Sequence, residues 1–422
     1  MRGSLPGDGH QSDPLRGLRV LGRLAVVLGR RADVLTAAVV LTVAGPGSVR
    51  AEAPKWETPR VPIEAPAPAS LGTFSALACG ACHPEIAAEW AASTHGHAWT
   101  DRQFQAERSK DPAVAWLCDN CHTPLARQQA VLSSATGDPR RPVQTPNSLF
   151  EPALREEGIT CLTCHWRPAG IASIHADAVA PHALVLSPEL RGEGTCTVCH
   201  QAVARVGETL VCTFNTGEEW RAAAPGKTCP ECHMPRVTRP MAVGGPVRTG
   251  GRHLWPGGLV PKSVQSPAEA ALFADWQPGA RIRVEAPTNI APGFEVLAGI
   301  YLEHQGAGHR VPTGDPERYL WLVAEAVDSS GRVLARTTHR AGQVWTWWPV
   351  ARRESDNRLS PGESRVIPLR FTRPANGDPV TIRARLEHHR ISPENARHHA
   401  LGDYPTMRLV QSLEVRVPGA AP

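Results

Sequence analysis

Apolar and polar positions alternate in short runs from residue 279 onward. The clearest are Arg281-Ile-Arg-Val, Tyr319-Leu-Trp-Leu-Val-Ala-Glu-Ala-Val, Arg365-Val-Ile-Pro-Leu-Arg-Phe and Val380-Thr-Ile-Arg-Ala-Arg-Leu. A period of two puts every second side chain on one face of a strand. Asp328-Ser-Ser-Gly, Ser360-Pro-Gly-Glu and Asn376-Gly-Asp-Pro separate the runs and carry turn chemistry. Such punctuated short strands predict an all-β, immunoglobulin-like sandwich over residues 279–418.

The other end of the chain shows a different pattern. Arg16, Arg19, Arg23, Arg30 and Arg31 precede an apolar run from Val34 to Ala44, and Val49 and Ala51 follow as small residues. Residues 1–51 therefore read as a signal peptide cut after Ala51, which sends the chain to the periplasm or cell surface. The run is shorter than the roughly 20 apolar residues that span a bilayer, so an uncleaved anchor is the competing reading. No transmembrane span is expected in the mature chain. Residues 52–70, with Ala65-Pro-Ala-Pro, read as an extended linker. Residues 236–278, rich in Gly and Pro, read as a bridge.

Between them, residues 71–235 hold all 11 cysteines, and ten fall in five motifs of one spacing. These are Cys79-Gly-Ala-Cys82-His83, Cys118-Asp-Asn-Cys121-His122, Cys161-Leu-Thr-Cys164-His165, Cys196-Thr-Val-Cys199-His200 and Cys229-Pro-Glu-Cys232-His233. The spacing suits covalent haem attachment. Two thiols add to the two vinyl groups of one haem, and the adjacent imidazole falls on the iron. Zinc half-sites, redox dithiols and disulfides compete for C-x-x-C alone. None of them explains a His after the second Cys five times in five. The expected cofactors are thus five covalently bound c-type haems. Crowded into residues 79–233, they would be wrapped by short helices and loops. Cys212 has no C-x-x-C partner and reads as a buried free thiol.

Charge adds little. The whole chain has 45 basic and 40 acidic residues, but residues 52–422 carry 38 and 37. That balance gives no footing for nucleic-acid binding. Histidine matters more, because the sixth ligand of each iron separates an electron carrier from a catalyst. Residues 52–422 keep 17 histidines, five of them in the motifs.

Several segments resemble multihaem cytochromes related to the tetrahaem cytochrome of nitrifying bacteria, whose haem packing is shared with hydroxylamine oxidoreductase. Cys79-x-x-Cys82-His83-Pro84-Glu85, followed by Trp90, Ser93, His95 and Ala98, is similar to the family's first haem segment. Glu157-Gly158-Ile159-Thr160 before Cys161 resembles the third. Glu219-Trp220, with Met234-Pro235 after the fifth motif, resembles the last. Arg252-His253-Leu-Trp-Pro-Gly257-Gly258 looks like a following His-bearing loop. Gly306-Ala-Gly308-His309-Arg-Val-Pro312-Thr313-Gly314, with Pro316 and Arg318, resembles the opening of the family's β-domain. The resemblance implies His95, His175, His253 and His309 as distal iron ligands and leaves His182 as the fifth choice. His97 competes with His95, and the Ser-x-His-x-x-Ala frame favours His95. A ligand at His309 would require the β-domain to lie against the haems. The pairs His388/His389 and His398/His399 are expected to face solvent.

The chain also departs from these relatives. It has five motifs rather than four, and all five keep His, whereas the pentahaem nitrite reductases replace one by Lys. Its tyrosines, Tyr301, Tyr319 and Tyr404, all lie in the β-region, and none is a counterpart of the tyrosine crosslinked in hydroxylamine oxidoreductase. The leading expectation is an exported electron carrier that works between a donor and an acceptor protein. The alternatives are a haem oxidoreductase with one open iron, acting on a small nitrogen or sulfur compound, and a homo-oligomeric subunit of a cytochrome filament.

Overall fold

The computed structural model describes residues 72–133, 142–175, 180–206 and 210–419. The expected signal peptide (1–51) and linker (52–70) lie outside the described residues. No described helix is long and apolar enough to cross a membrane.

The cysteine-bearing part is built of short helices. They are α1 (Ala76–Gly80), α2 (Pro84–Ala92), α3 (Arg102–Arg108), α4 (Ala115–His122), α5 (Pro152–Glu156), α6 (Cys161–His165), α7 (Gly194–His200), α8 (Thr216–Ala223) and α9 (Cys229–His233). The longest is α2, with nine residues. Isolated helices of this length are not stable in water, so packing must hold them. Small ladders connect them: β1 (Val131–Ser133) with β2 (Gln144–Pro146), β3 (Trp166–Arg167) with β4 (Gly170–Ser173), β5 (Leu184–Leu186) parallel to β4, and β6 (Ala202–Val206) with β7 (Leu210–Phe214). The helical part has a small apolar cluster of Phe74, Leu125, Leu154 and Leu162, and buries Trp90, Trp99, Phe104 and Trp116 besides. A hairpin, β8 (Arg236–Pro240) with β9 (Val247–Gly251), begins the Gly/Pro-rich bridge, and α10 (Pro267–Ala271) closes it.

The rest is β-rich, as the alternation predicts. Strands β10 (Ala280–Glu285), β11 (Glu295–His304) and β15 (Ser364–Thr372) form one antiparallel sheet. The other has the order β14-β13-β12-β16-β17, with β12 (Tyr319–Asp328), β13 (Val333–Thr346), β14 (Arg352–Asp356), β16 (Val380–His389) and β17 (Met407–Val417). Register aligns the buried positions: Val296 faces Phe371, Ala298 faces Leu369 and Ile300 faces Ile367. Across the core, Leu320, Leu322, Ala324, Ile382, Ala384 and Leu386 come from the second sheet. The two sheets thus enclose one apolar core, which is where the burial energy of the described chain concentrates. A last helix, α11 (Pro393–His398), follows β16.

The two parts touch through polar contacts. Arg358 pairs with Glu219 at 2.7 Å, both side chains being over 90 % buried. Thr313 donates to Glu219 at 2.7 Å, and Tyr404 donates to Asp101 at 2.6 Å. Gly308 packs so close to Pro225 and Trp220 that a Cβ would sit 2.8 Å from the proline ring.

Candidate metal centres

Each motif sits on a single helical turn. The second to fifth motifs end α4, α6, α7 and α9, so the His is the last helical residue. In the first, Cys82 and His83 both donate backbone hydrogen bonds to the Cys79 carbonyl, which gives the same turn. Residues three apart share a helix face, so both thiols point one way and the imidazole follows them.

The imidazoles are aimed by backbone carbonyls. Nδ1 of His83 faces the Met241 carbonyl at 2.6 Å, Nδ1 of His122 that of Ala98 at 2.6 Å, and Nδ1 of His165 that of Ala172 at 2.8 Å. His253 faces the Gly251 carbonyl at 3.0 Å and His309 the Arg310 carbonyl at 2.9 Å, again through Nδ1. A carbonyl only accepts, so Nδ1 carries the proton and Nε2 keeps a lone pair. Burial opposes charge on His95, His122, His165, His200, His233, His253 and His309. It lowers His122, His233 and His253 to about 4 and His95 to about 3, and the Lys262 ammonium adds to the effect at His95 and His122. His165, His200 and His309 are lowered for the same first reason.

Three motif histidines face a distant histidine across a fixed gap. Ring centres of His200 and His95 are 6.2 Å apart, those of His165 and His253 are 6.1 Å apart, and those of His233 and His309 are 6.1 Å apart. A metal–imidazole bond is about 2 Å and the ring centre lies ~1 Å beyond the nitrogen, so two imidazoles on opposite sides of one metal have centres about 6 Å apart. The rings therefore stand at the spacing of axial ligands. The same residues fit a haem for a second reason, since each pair lies beside two cysteines on one helical turn.

The supporting residues are specific. Glu89, only 3 % exposed, accepts from Arg239 at 2.8 and 2.9 Å, from Arg252 at 3.2 Å and from the His253 backbone N–H at 2.8 Å. Burial pushes its carboxyl up, but these donors more than offset that and hold it below the ordinary range. Trp255 packs against both His95 and His253, at 4.6 and 5.3 Å. Phe104 stacks on His122 at 3.6 Å.

Other expected residues stand differently. Among the described residues, no imidazole pair at this spacing includes His83 or His122. Nε2 of His175 and Nδ1 of His182 are buried without a hydrogen-bond partner, and neither ring joins a pair. His97 is partly buried and lowered by that burial and by Lys262. No disulfide joins any of the eleven cysteines, and burial pushes the Cys212 thiol up to about 12. The solvent-facing assignment of three histidines is corrected. His388 and His389 are 9 % and 8 % exposed, because the β16 alternation carries Ile382, Ala384, Leu386 and His388 onto buried positions. His399 pairs with Glu107 at 3.0 Å, whereas His398 is exposed. The buried set of Lys262, Asp101, Arg318 and Tyr404 also went unread. Lys262, Asp101 and Tyr404 belong to no motif, and only the tertiary fold gathers them with Arg318.

Thiols of different motifs adjoin. Cys161 hydrogen-bonds Cys79, and Cys196 hydrogen-bonds Cys229. Cys164 and Cys199 are close enough for charge on one to oppose charge on the other.

The arrangement shares the fold of a multihaem c-type cytochrome. The structure in question is the penta-haem cytochrome c552 from Thermochromatium tepidum, matched with a TM-score of 0.53 at 18 % identity, over 83 % of this chain and 100 % of that one. A family 2 glycosyl hydrolase from Bacteroides cellulosilyticus aligns with 33 % of this chain and 15 % of its own at 11 % identity, with a TM-score of 0.19. No protein-family model and no curated protein matches the chain.

Proposed function

We propose that this chain is an exported pentahaem c-type cytochrome that passes electrons between a donor and an acceptor protein. The observation that carries the reading is the three imidazole pairs at 6.1–6.2 Å, each joining a C-x-x-C-H histidine to a histidine remote in sequence. The haems would be held by Cys79, Cys82 and His83; Cys118, Cys121 and His122; Cys161, Cys164 and His165; Cys196, Cys199 and His200; and Cys229, Cys232 and His233. Bound there, a haem supplies a one-electron couple. His95, His253 and His309 would hold the fourth, third and fifth haems together with His200, His165 and His233, and the buried His175 and His182 are the further candidate ligands. With two strong axial ligands an iron has no site for substrate, so its role is electron transfer.

The adjoining thiols support an order. Cys79 beside Cys161, Cys164 near Cys199, and Cys196 beside Cys229 would place the haems of the first, third, fourth and fifth motifs next to one another.

The test begins with the protein exported from a host that matures c-type cytochromes. Its intact mass should rise by five haems, and its ferric spectrum should be low-spin and unmoved by nitrite, hydroxylamine or nitric oxide. Retention of free thiols in the motifs would overturn the haem assignment. A high-spin signal that responds to those ligands would overturn the carrier assignment in favour of catalysis at an open iron.

A further inference from the structure

His388 is a buried imidazole that the haem reading above does not use. Its Nδ1 faces the Gly258 carbonyl at 2.8 Å, the arrangement found at His83, His122, His165, His253 and His309. The carbonyl fixes the proton on Nδ1, so Nε2 is an acceptor. That Nε2 is buried and has no hydrogen-bond partner. A buried acceptor left without a donor is destabilising. The surrounding chain is shaped to keep it there. Gly258 has φ +82°, and a Cβ on it would lie 2.5 Å from His388 Cε1. Any other residue would drive the ring away.

The location is also informative. Gly257, the neighbour of Gly258, is pressed against Thr94, one residue before His95. Four residues after Thr94, Ala98 holds His122 through its carbonyl. Asp101 binds Lys262 and Tyr404, and it lies 3.7 Å from Arg390, two residues beyond His388. His122 and His388 therefore approach one contact region from the helical and β-rich parts respectively; their rings do not stand at the spacing of the three pairs, so joint ligation requires that spacing to change. His83 belongs elsewhere, beside the bridge hairpin at Met241.

Two uses of a buried Nε2 compete here. A haem propionate would require Nε2 to donate, and hence an imidazolium. The ring's surroundings oppose that charge, since burial and the cations Arg318 and Arg390 hold it at about 3. A Lewis acid needs only the lone pair, which is what the geometry leaves.

We propose that His388 Nε2 is the sixth ligand of the haem attached at Cys118 and Cys121, opposite His122. The inference rests on the haem reading, and the experiment separates the two. The wild-type protein is first checked for five haems by mass and for its low-spin and high-spin content by magnetic circular dichroism and electron paramagnetic resonance. Absence of haem there would fail the underlying reading. With five haems present, His388→Ala should convert one low-spin haem to high-spin, and added imidazole should reverse it. His388→Met should give a thioether-to-iron charge-transfer band from one haem. The same His388→Ala change, made after removing the second motif with Cys118→Ala, Cys121→Ala and His122→Ala, should create no high-spin haem. An unchanged spin state in His388→Ala, or no thioether band in His388→Met, overturns the ligand. A new high-spin haem in the four-haem background overturns its assignment to the second motif.

Discussion

Glu89 shows how much a single side chain carries. It is buried, yet four donors from three residues converge on its two oxygens. Removing one partner of a buried, hydrogen-bonded ion pair leaves the other charge uncompensated, at a cost of about 3–5 kcal/mol. Glu89→Ala is therefore expected to lower thermal stability sharply and to loosen the His253 loop, while Asp at this position is too short to reach all the donors. The pH sign follows from the direction of its shift. A carboxyl held below its unfolded value stabilises the fold above that unfolded value, and the contribution fades as pH falls through the folded one. The wild-type and Glu89→Gln melting curves should converge on acidification. Glu317 behaves oppositely. Burial, with Asp315 and Glu107 nearby, raises it to about 8. Such a group stabilises the fold when protonated and loses that contribution as pH rises from the ordinary glutamate value to about 8. Glu317→Gln should thus gain stability over wild type between about pH 5 and 8 and keep a constant advantage above it. A pH-independent difference in melting temperature would refute this.

At the scale of elements, the strands were legible and the helices were not. Alternation in Val380-Thr-Ile-Arg-Ala-Arg-Leu reads directly as β16, and its buried positions are the ones the period assigns. The same period, carried two residues further, lands on His388. The aliphatic run ends at Leu386, so the His pair that follows reads as a polar strand end. The motif helices have no amphipathic pattern because five residues make barely one turn, and C-x-x-C-H identifies them by chemistry instead. Pairing of His95, His253 and His309 with particular motifs was beyond composition or spacing, since the partners lie at least 76 residues apart along the chain. Leu322, fully buried on the central strand β12, is a fair test of where stability resides. Leu322→Ala should cost about 2–5 kcal/mol in chemical denaturation. It should leave the ferric spectrum of the folded protein unchanged, because the core it thins lies away from the motif helices.

At the scale of the whole described chain, one polar clamp links the β-rich part to the fifth motif. Glu219 on α8 receives Thr313 and pairs with Arg358, while Arg358 also holds Asp356 at 2.8 Å. Thr313 lies four residues after His309, and Gly308 just before it abuts Trp220 and Pro225. The loop bearing His309 is therefore pinned to α8 from both sides. If electrons pass through the fifth haem, its sixth ligand depends on this contact between the two parts. Arg358→Ala removes the guanidinium, leaves the buried Glu219 without its ion-pair partner and leaves Asp356 to Arg310 and Arg353, so a general loss of stability alone would be uninformative. Arg358→Lys keeps the charge but not the planar fork that reaches both acids. It should preserve most of the stability while letting the His309 loop move. The expected signature is confined to one haem, namely partial high-spin character that grows on mild heating, below the global transition, and is suppressed by added imidazole. A spectrum that stays low-spin until the whole protein unfolds would show that His309 is held without the clamp.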